Sequence, residues 1–357
     1  MFLTRRGFFS GVLAVPAVAA TPIRLSKTVR LGLVGADGHT GDILRPLADW
    51  PDVKLVAVAN ARSDPKAWDA LLKQPPVAVA RRYGTAAELL AAEPLDLVAV
   101  CNNNGERAGV ILACLAKRIP VIAEKPFALK WQDLQEIEAA KAAANVPVGM
   151  IMPMRFEPWF LAMREVVQSG EVGEIAQIDA QKSYQLGERP AWQKSAALYG
   201  STILWIGIHM LDLMEWASGR RFTEAASFES RVAFPEMGDL QNVTTSMFRL
   251  DNGGTATLRM DYLRPATASG HGDDRLRLAG TKGVVEYQEA TGVTVMSAAG
   301  APRRLTNLPE AGSVFGDFLG QVYLRKKPAL SWDEIVRANY VTLKAEEAAR
   351  SGRIVSI

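Results

Sequence analysis

Cysteine is nearly absent. Cys101 and Cys114 are the only two in 357 residues, too few for a disulfide framework or a thiolate zinc site, so a bridge between them would be optional at best. Charge of one sign is lacking too. The formal net charge is +3, two units of which come from Arg5 and Arg6, so no basic stripe suits nucleic acid and no such partner is expected. No internal repeat or low-complexity tract stands out. Histidine is scarce, with three copies in the whole chain. What is present is ordinary: 48% apolar and 22% charged residues, a soluble globular composition with length enough for about two domains.

The N-terminus reads MFLTRRGFFSGVLAVPAVAATP. Paired arginines precede an apolar run, Gly7 to Ala20, that is too brief to span a bilayer. Ala17, Val18 and Ala19 then suit a signal peptidase. The pattern predicts a secretory signal over 1–20, not an integral membrane anchor. TRRGFF at 4–9 resembles the twin-arginine export signal, which carries folded chains. A Sec signal or an uncleaved surface anchor is the alternative. Export of a folded chain suits a protein that acquires its cofactor in the cytoplasm, and the expected location is periplasmic or otherwise extracytoplasmic.

From Val29 the chain alternates. VRLGLV, VKLVAVA, LDLVAVC and IPVIA are continuous apolar strands separated by helical stretches, one of which opens with Thr85 and Glu88 at capping-box spacing. Apolar strands buried on both faces mean a parallel sheet with crossover helices. Past Ile175 the strands lengthen and become more polar, with hairpin signals in LDNGGTATLRM and LAGTKGVVEY. Helices are expected at 158–169 and 206–217, and Gly352 is placed as the C-cap of the last one. The fold class is α/β: a doubly wound Rossmann domain over 28–150 and an α/β domain with a mostly antiparallel open sheet over 151–331. A C-terminal helix and tail fill 332–357.

Between the first strand and first helix lies GADGHTG, with Gly35, Gly38 and Gly41 spaced GxxGxxG. Such glycines let backbone amides and a helix N-terminus approach a pyrophosphate. Alone the motif is weak, but after the first strand of a βαβ unit it points to a dinucleotide, held by Gly35, Ala36, Asp37, Gly38, His39 and Thr40. His39 reads as a loop or phosphate-neighbour residue. At the end of the second strand, where an acid normally meets the ribose diol, stands Asn60, with Arg62 just beyond. A neutral Asn tolerates a 2′-phosphate and an Arg can pair with it, so NADP is favoured, with NAD the alternative. The bland reading of Arg62 is a solvated loop charge.

AEKPFAL at 123–129 follows another apolar strand, which carries Glu124 and Lys125 to the rim where a nicotinamide would lie. A lysine there can stabilise negative charge on a substrate oxygen. Further on, the apolar run TILWIGIHMLDLMEW at 202–216 holds His209. Taken alone, a histidine in such a helix is core.

The ordered series GADGHTG, AEKPFAL, VGMIMPMRFEPW with Arg155 and Phe156, GEVGEI, GIHMLDL and LAGTKG resembles the Gfo/Idh/MocA family of NAD(P)-dependent oxidoreductases, from about Val29 to Ile357. The resemblance implies a C-terminal domain whose open sheet makes a dimer or tetramer interface, and hydride exchange with sugars or cyclitols. It maps the catalytic lysine onto Lys125, expected to polarise the substrate oxygen, and the histidine onto His209, expected to be the base toward a substrate hydroxyl, but an aspartate four residues earlier is Trp205. The chain departs again at CNNNGER, where Asn102, Asn103 and Arg107 replace a Thr-Pro and a later histidine. Trp205 is then a stacking wall for a sugar or plain core; Asp212 either orients His209 or serves structurally. Arg155 joins them as a substrate-side residue, and no metal site is expected. Without the aspartate, chemistry is expected to be slow or to rely on a different group.

Three readings follow: an exported NADP-dependent oxidoreductase of a sugar or polyol, a glycosidase or lyase that recycles a tightly held NAD(P) internally, and a non-catalytic sugar-binding relative.

Overall fold

The structure is a computed structural model that describes residues 22–298 and 300–357; the expected signal over 1–20 lies outside them. Its first half is built on six parallel strands, β1 (Val29–Val34), β2 (Val53–Ala59), β3 (Arg81–Tyr83), β4 (Leu97–Val100), β5 (Val121–Ala123) and β6 (Val148–Met150), in the order β3-β2-β1-β4-β5-β6. Every residue of β4 is buried, as a strand covered by helices on both faces requires. The expected capping box forms, with Thr85 and Glu88 closing the helix Ala86–Ala92. Strand order reverses between β1 and β4, and a crevice opens beyond the carboxyl ends of the strands at such a point.

The second sheet has nine strands: β7 (Ile175–Gln185), β8 (Phe222–Ser230), β9 (Val243–Leu250), β10 (Thr255–Arg264), β11 (Gly272–Gly280), β12 (Gly283–Gln288), β13 (Gly292–Ser297), β14 (Gly300–Arg304) and β15 (Val355–Ser356). They run β14-β13-β12-β11-β7-β10-β9-β8-β15. All neighbours are antiparallel except β7 and β10. Both glycine turns make the hairpins expected of them, β9 to β10 and β11 to β12, the second closing with Gly280 opposite Gly283. Burial alternates strictly along β9, so one face of the sheet is core and the other is open. Helices Pro158–Gln168, Ile208–Ser218 and Trp332–Ser351 cover the buried face.

The run around His209 differs from a simple helix over 206–217. Ile203–Gly207 is a π-turn, and the α-helix starts at Ile208. A π-turn shifts backbone bonding from i−4 to i−5 and is frequent at functional sites. By length and a mean hydropathy of 1.3, Ala196–Ser218 could cross a membrane, but 89% of its apolar window is buried in the protein. The last helix ties the halves together. Asn339 Oδ1 accepts the Phe127 amide at 2.9 Å, Arg337 grips Glu215, and β15 extends the sheet beside β8.

Candidate functional site

At the β1–β4 switch point the backbone is packed too tightly for a side chain. A Cβ on Gly35, whose φ is +83°, would stand 2.5 Å from the Asn102 backbone. The first helix, Thr40–Leu44, is short, and its first-turn amides are the orphan donors that every helix N-terminus leaves. Around this turn the chain supplies its own polar partners. Ala36 N–H donates to Ser63 Oγ at 2.7 Å, and Asp37 accepts from Trp192 Nε1 at 3.0 Å and from the Asp64 amide at 3.2 Å. Burial pushes the Asp37 carboxyl up to about 6. Asp37 Oδ2 and Asn102 Oδ1 are buried without a partner. Two orphaned acceptors beside a glycine cradle fit a hydroxyl-rich, phosphate-bearing ligand. A nicotinamide dinucleotide would be held by the loop 35–40, Asn60 and Asn102, and when bound it supplies a hydride acceptor.

Arg62 lies at the rim, but its side chain is 82% exposed and ion-paired with Glu106. A phosphate there would compete with that carboxylate.

The second half of the site is a cleft of about 570 Å³ between the two domains, and all three histidines line it: His39, His209 and His271. Lys125 sits at its inner end, 1% exposed. Its Nζ donates to the Trp205 carbonyl at 2.6 Å, within the π-turn, and lies 3.3 Å from the centre of the Trp205 indole. Burial depresses Lys125 to about 7; Glu124 opposes this, while Arg107 and Lys182 add to it. For Glu124, which is wholly buried, burial alone would raise the carboxyl, yet His39, Lys125 and Arg107 together hold it at about 2. Its oxygens accept the His39 amide at 2.7 Å, the His39 ring Nδ1, and the Lys125 amide at 2.8 Å.

Arg107 fastens this corner. Fully buried, it donates to the carbonyls of Lys125 at 3.0 Å, Pro126 at 2.7 Å and Asn102. At CNNNGER, Arg107 thus ties the end of β4 to the turn after β5. His209 has an unpartnered Nδ1, and burial, with the charges of Lys125, His39 and Lys182, keeps its imidazole well below the usual range and hence neutral.

Trp205 lines the cleft and also packs edge-on to Trp192 at 5.5 Å, so wall and core are one residue. Two of the expected substrate-side residues are elsewhere. Arg155 and Asp212 form a buried bidentate pair at 2.7 and 2.6 Å, joined by Glu334 at 2.7 Å, in a separate small pocket. The guanidinium of Arg155 donates to both Asp212 carboxylate oxygens. The outer cleft is made by residues that sequence reading missed: Glu157, Lys182, Tyr184, Asp274 and Tyr287. Lys182 and Tyr184 are two apart on β7 and so share a face. Lys182 donates to Asp274 at 2.6 Å, and burial raises Glu157 to about 7 despite Lys182.

Two family models match the chain. The NAD-binding Rossmann fold of the GFO/IDH/MocA oxidoreductase family covers residues 29–152, and the C-terminal domain of the same family covers 160–286. Inositol 2-dehydrogenase 2 of Paenarthrobacter aurescens is 27% identical over 238 residues, 65% of this chain and 68% of that protein. D-apiose dehydrogenase of Rhizobium rhizogenes is 24% identical over 264 residues, 72% and 74% of the two chains. A solved structure from Thermotoga maritima, described as an oxidoreductase, has a TM-score of 0.87 at 29% identity, covering 92% of this chain and all of that one. With both halves matched to one family, the chain belongs to the Gfo/Idh/MocA family of NAD(P)-dependent oxidoreductases.

Proposed function

We propose that the protein is an exported oxidoreductase that moves hydride between a sugar or polyol and NADP. One observation carries this reading: Lys125 and His209 meet in a cleft at the carboxyl end of β5, where the dinucleotide crevice opens. Lys125 steadies charge on the reacting oxygen once it leaves the Trp205 carbonyl, and His209 meets the hydroxyl as a neutral hydrogen-bonding group. Aromatic faces of Trp205 and Tyr287 suit the apolar face of a sugar ring. Relatives named for inositol and D-apiose support the class. The test is reduction of NAD or NADP by the purified protein with myo-inositol, D-apiose and D-glucose. No reduction with any of them would reject the reading.

Cofactor preference rests on Asn60. Asn60→Asp adds repulsion against a 2′-phosphate and is expected to shift preference toward NAD by about 1–3 kcal/mol, measured as the ratio of the two Kd values. A wild type that already binds NAD more tightly refutes the NADP assignment.

Export rests on residues 1–20. Replacing Arg5 and Arg6 with lysine is expected to leave folded precursor in the cytoplasm, visible by fractionation, and normal export of that variant would exclude the twin-arginine route. Open-face residues Phe228, Met247 and Leu263 are exposed, which supports a homo-oligomer built through the nine-stranded sheet.

A second reading keeps the cofactor bound and recycles it within a glycosidase or lyase cycle. The Trp192–Asp37 hydrogen bond and the Lys66–Glu188 ion pair favour it, because both lay the segment around 188–192 over the dinucleotide turn. Native mass spectrometry of the exported protein separates the two: a retained cofactor and product without net reduction mark recycling.

A further inference from the structure

In the resemblance, an aspartate one turn before the histidine stabilises the imidazolium formed when the histidine takes a proton. Here that place is Trp205, and Asp212 is committed to Arg155. Among the described residues no carboxylate pairs with His209, and Lys125 and Lys182 add positive charge nearby.

A different imidazole in the same cleft does have one. His39, from the glycine loop, places Nδ1 against Glu124 Oε1, and its own backbone amide donates to that same oxygen at 2.7 Å. Glu124 has no solvent exposure and is ionised, so it can only accept. In the neutral ring the proton facing that carboxylate is therefore on Nδ1, which leaves the lone pair on Nε2, at the opposite side of the ring. The His39 side chain is 37% exposed and lines the cleft. Its ring lies 5.4 Å edge-on from that of His209 and 6.4 Å from the Trp205 indole.

We propose that His39, oriented by Glu124, is the catalytic base of this protein, in the place that His209 holds in the family pattern. This rests on the oxidoreductase reading above. The substrate hydroxyl gives its proton to His39 Nε2, the freed O–H electron pair forms the carbonyl, and the C–H hydride leaves with two electrons for the oxidised nicotinamide. Glu124 balances the imidazolium and fixes the tautomer, so it is a positioning residue. Lys125 and His209 hold the oxygen.

The experiment has two arms. In the first, nitrogen NMR of the full chain labelled with ¹⁵N-histidine reports the tautomer of each ring, and the small number of histidines lets His39→Gln assign its signals. A protonated Nδ1 on His39 supports the dyad, and a protonated Nε2 on neutral His39 overturns it. In the second, oxidation of myo-inositol, D-apiose and D-glucose is followed for wild type, His39→Gln, Glu124→Gln and His209→Asn, with NADPH Kd measured for each. His39→Gln is expected to lower kcat about 10²–10⁴-fold while NADPH Kd stays within about threefold, and His209→Asn to lower kcat less than about tenfold. Restoration of His39→Ala by added imidazole supports the base assignment even if the glutamine variant folds poorly. A loss confined to NADPH Kd, or near-normal turnover in His39→Gln, overturns the assignment. Wild type that binds NADPH but oxidises none of the three polyols overturns the functional reading, and the spectrum still decides the dyad.

Discussion

Asp212→Ala is expected to lower stability by about 3–5 kcal/mol, read from chemical denaturation, because it leaves a buried guanidinium without its bidentate partner. Both side chains are almost fully buried, Arg155 at 5% and Asp212 at 3%. Glu334 retains one contact with Arg155 at 2.7 Å but is itself partly exposed. Burial would by itself depress Arg155; Asp212 and Glu334 outweigh it and hold the guanidinium above its usual range. A guanidinium does not give up its proton in a protein, so its charge has no route to neutrality when the carboxylate goes. The double change Arg155→Met with Asp212→Leu removes both charges and is expected to recover most of the loss. At temperatures where the alanine variant is folded, turnover should be close to wild type, since neither residue lines the cleft. A variant of normal stability with impaired substrate binding would return Asp212 to the substrate side.

That pair shows where sequence reading reaches its limit. His209 and Asp212 are three apart on a helix, which makes a contact between them plausible. The partner that claims Asp212 is Arg155, 57 positions upstream and on a different element, and no local pattern announces it. The parallel sheet was legible because its strands are apolar on both faces, and the hairpins because glycine turns limit the connections. The parallel pairing of β7 with β10 was not, because it is set by how distant strands share the centre of a sheet. Lys182, Tyr184, Asp274 and Tyr287 escaped for a related reason. Polar residues on the inward face of a strand read like polar residues on its solvent face until the sheet is assembled. Arg107 left a signal, since the departure at CNNNGER falls on the segment that carries this buried guanidinium. The π-turn at Ile203–Gly207 left none: all five residues are buried, and a π-turn buries them no differently from an α-turn.

Lys125→Met is expected to cut turnover by about 10²–10³-fold, roughly 3–4 kcal/mol in the chemical step, while leaving the protein at least as stable as wild type near neutral pH. The two effects share a cause. The ammonium is held out of water beside Trp205, and taking such an ion from solvent costs several kcal/mol, against about 1.5–3 kcal/mol for the charge-assisted hydrogen bond to the Trp205 carbonyl. Methionine fills similar volume without that cost. The sign with pH follows from linkage. Lys125 titrates at about 7 in the fold and near 10.5 when unconstrained, so between those values the unfolded chain binds more protons and wild-type stability rises with pH. Below about 7 the full penalty is present; above about 10.5 it is gone. The stability advantage of Lys125→Met should therefore be largest below pH 7 and shrink as the pH rises through that window, measured by denaturation of both proteins at matched pH. A variant that is less stable at neutral pH, with a gap independent of pH, would mean that the Trp205 contacts outweigh the cost of burial. Lys125 would then be a structural tie between the two domains, and its position at the head of the cleft would owe nothing to catalysis.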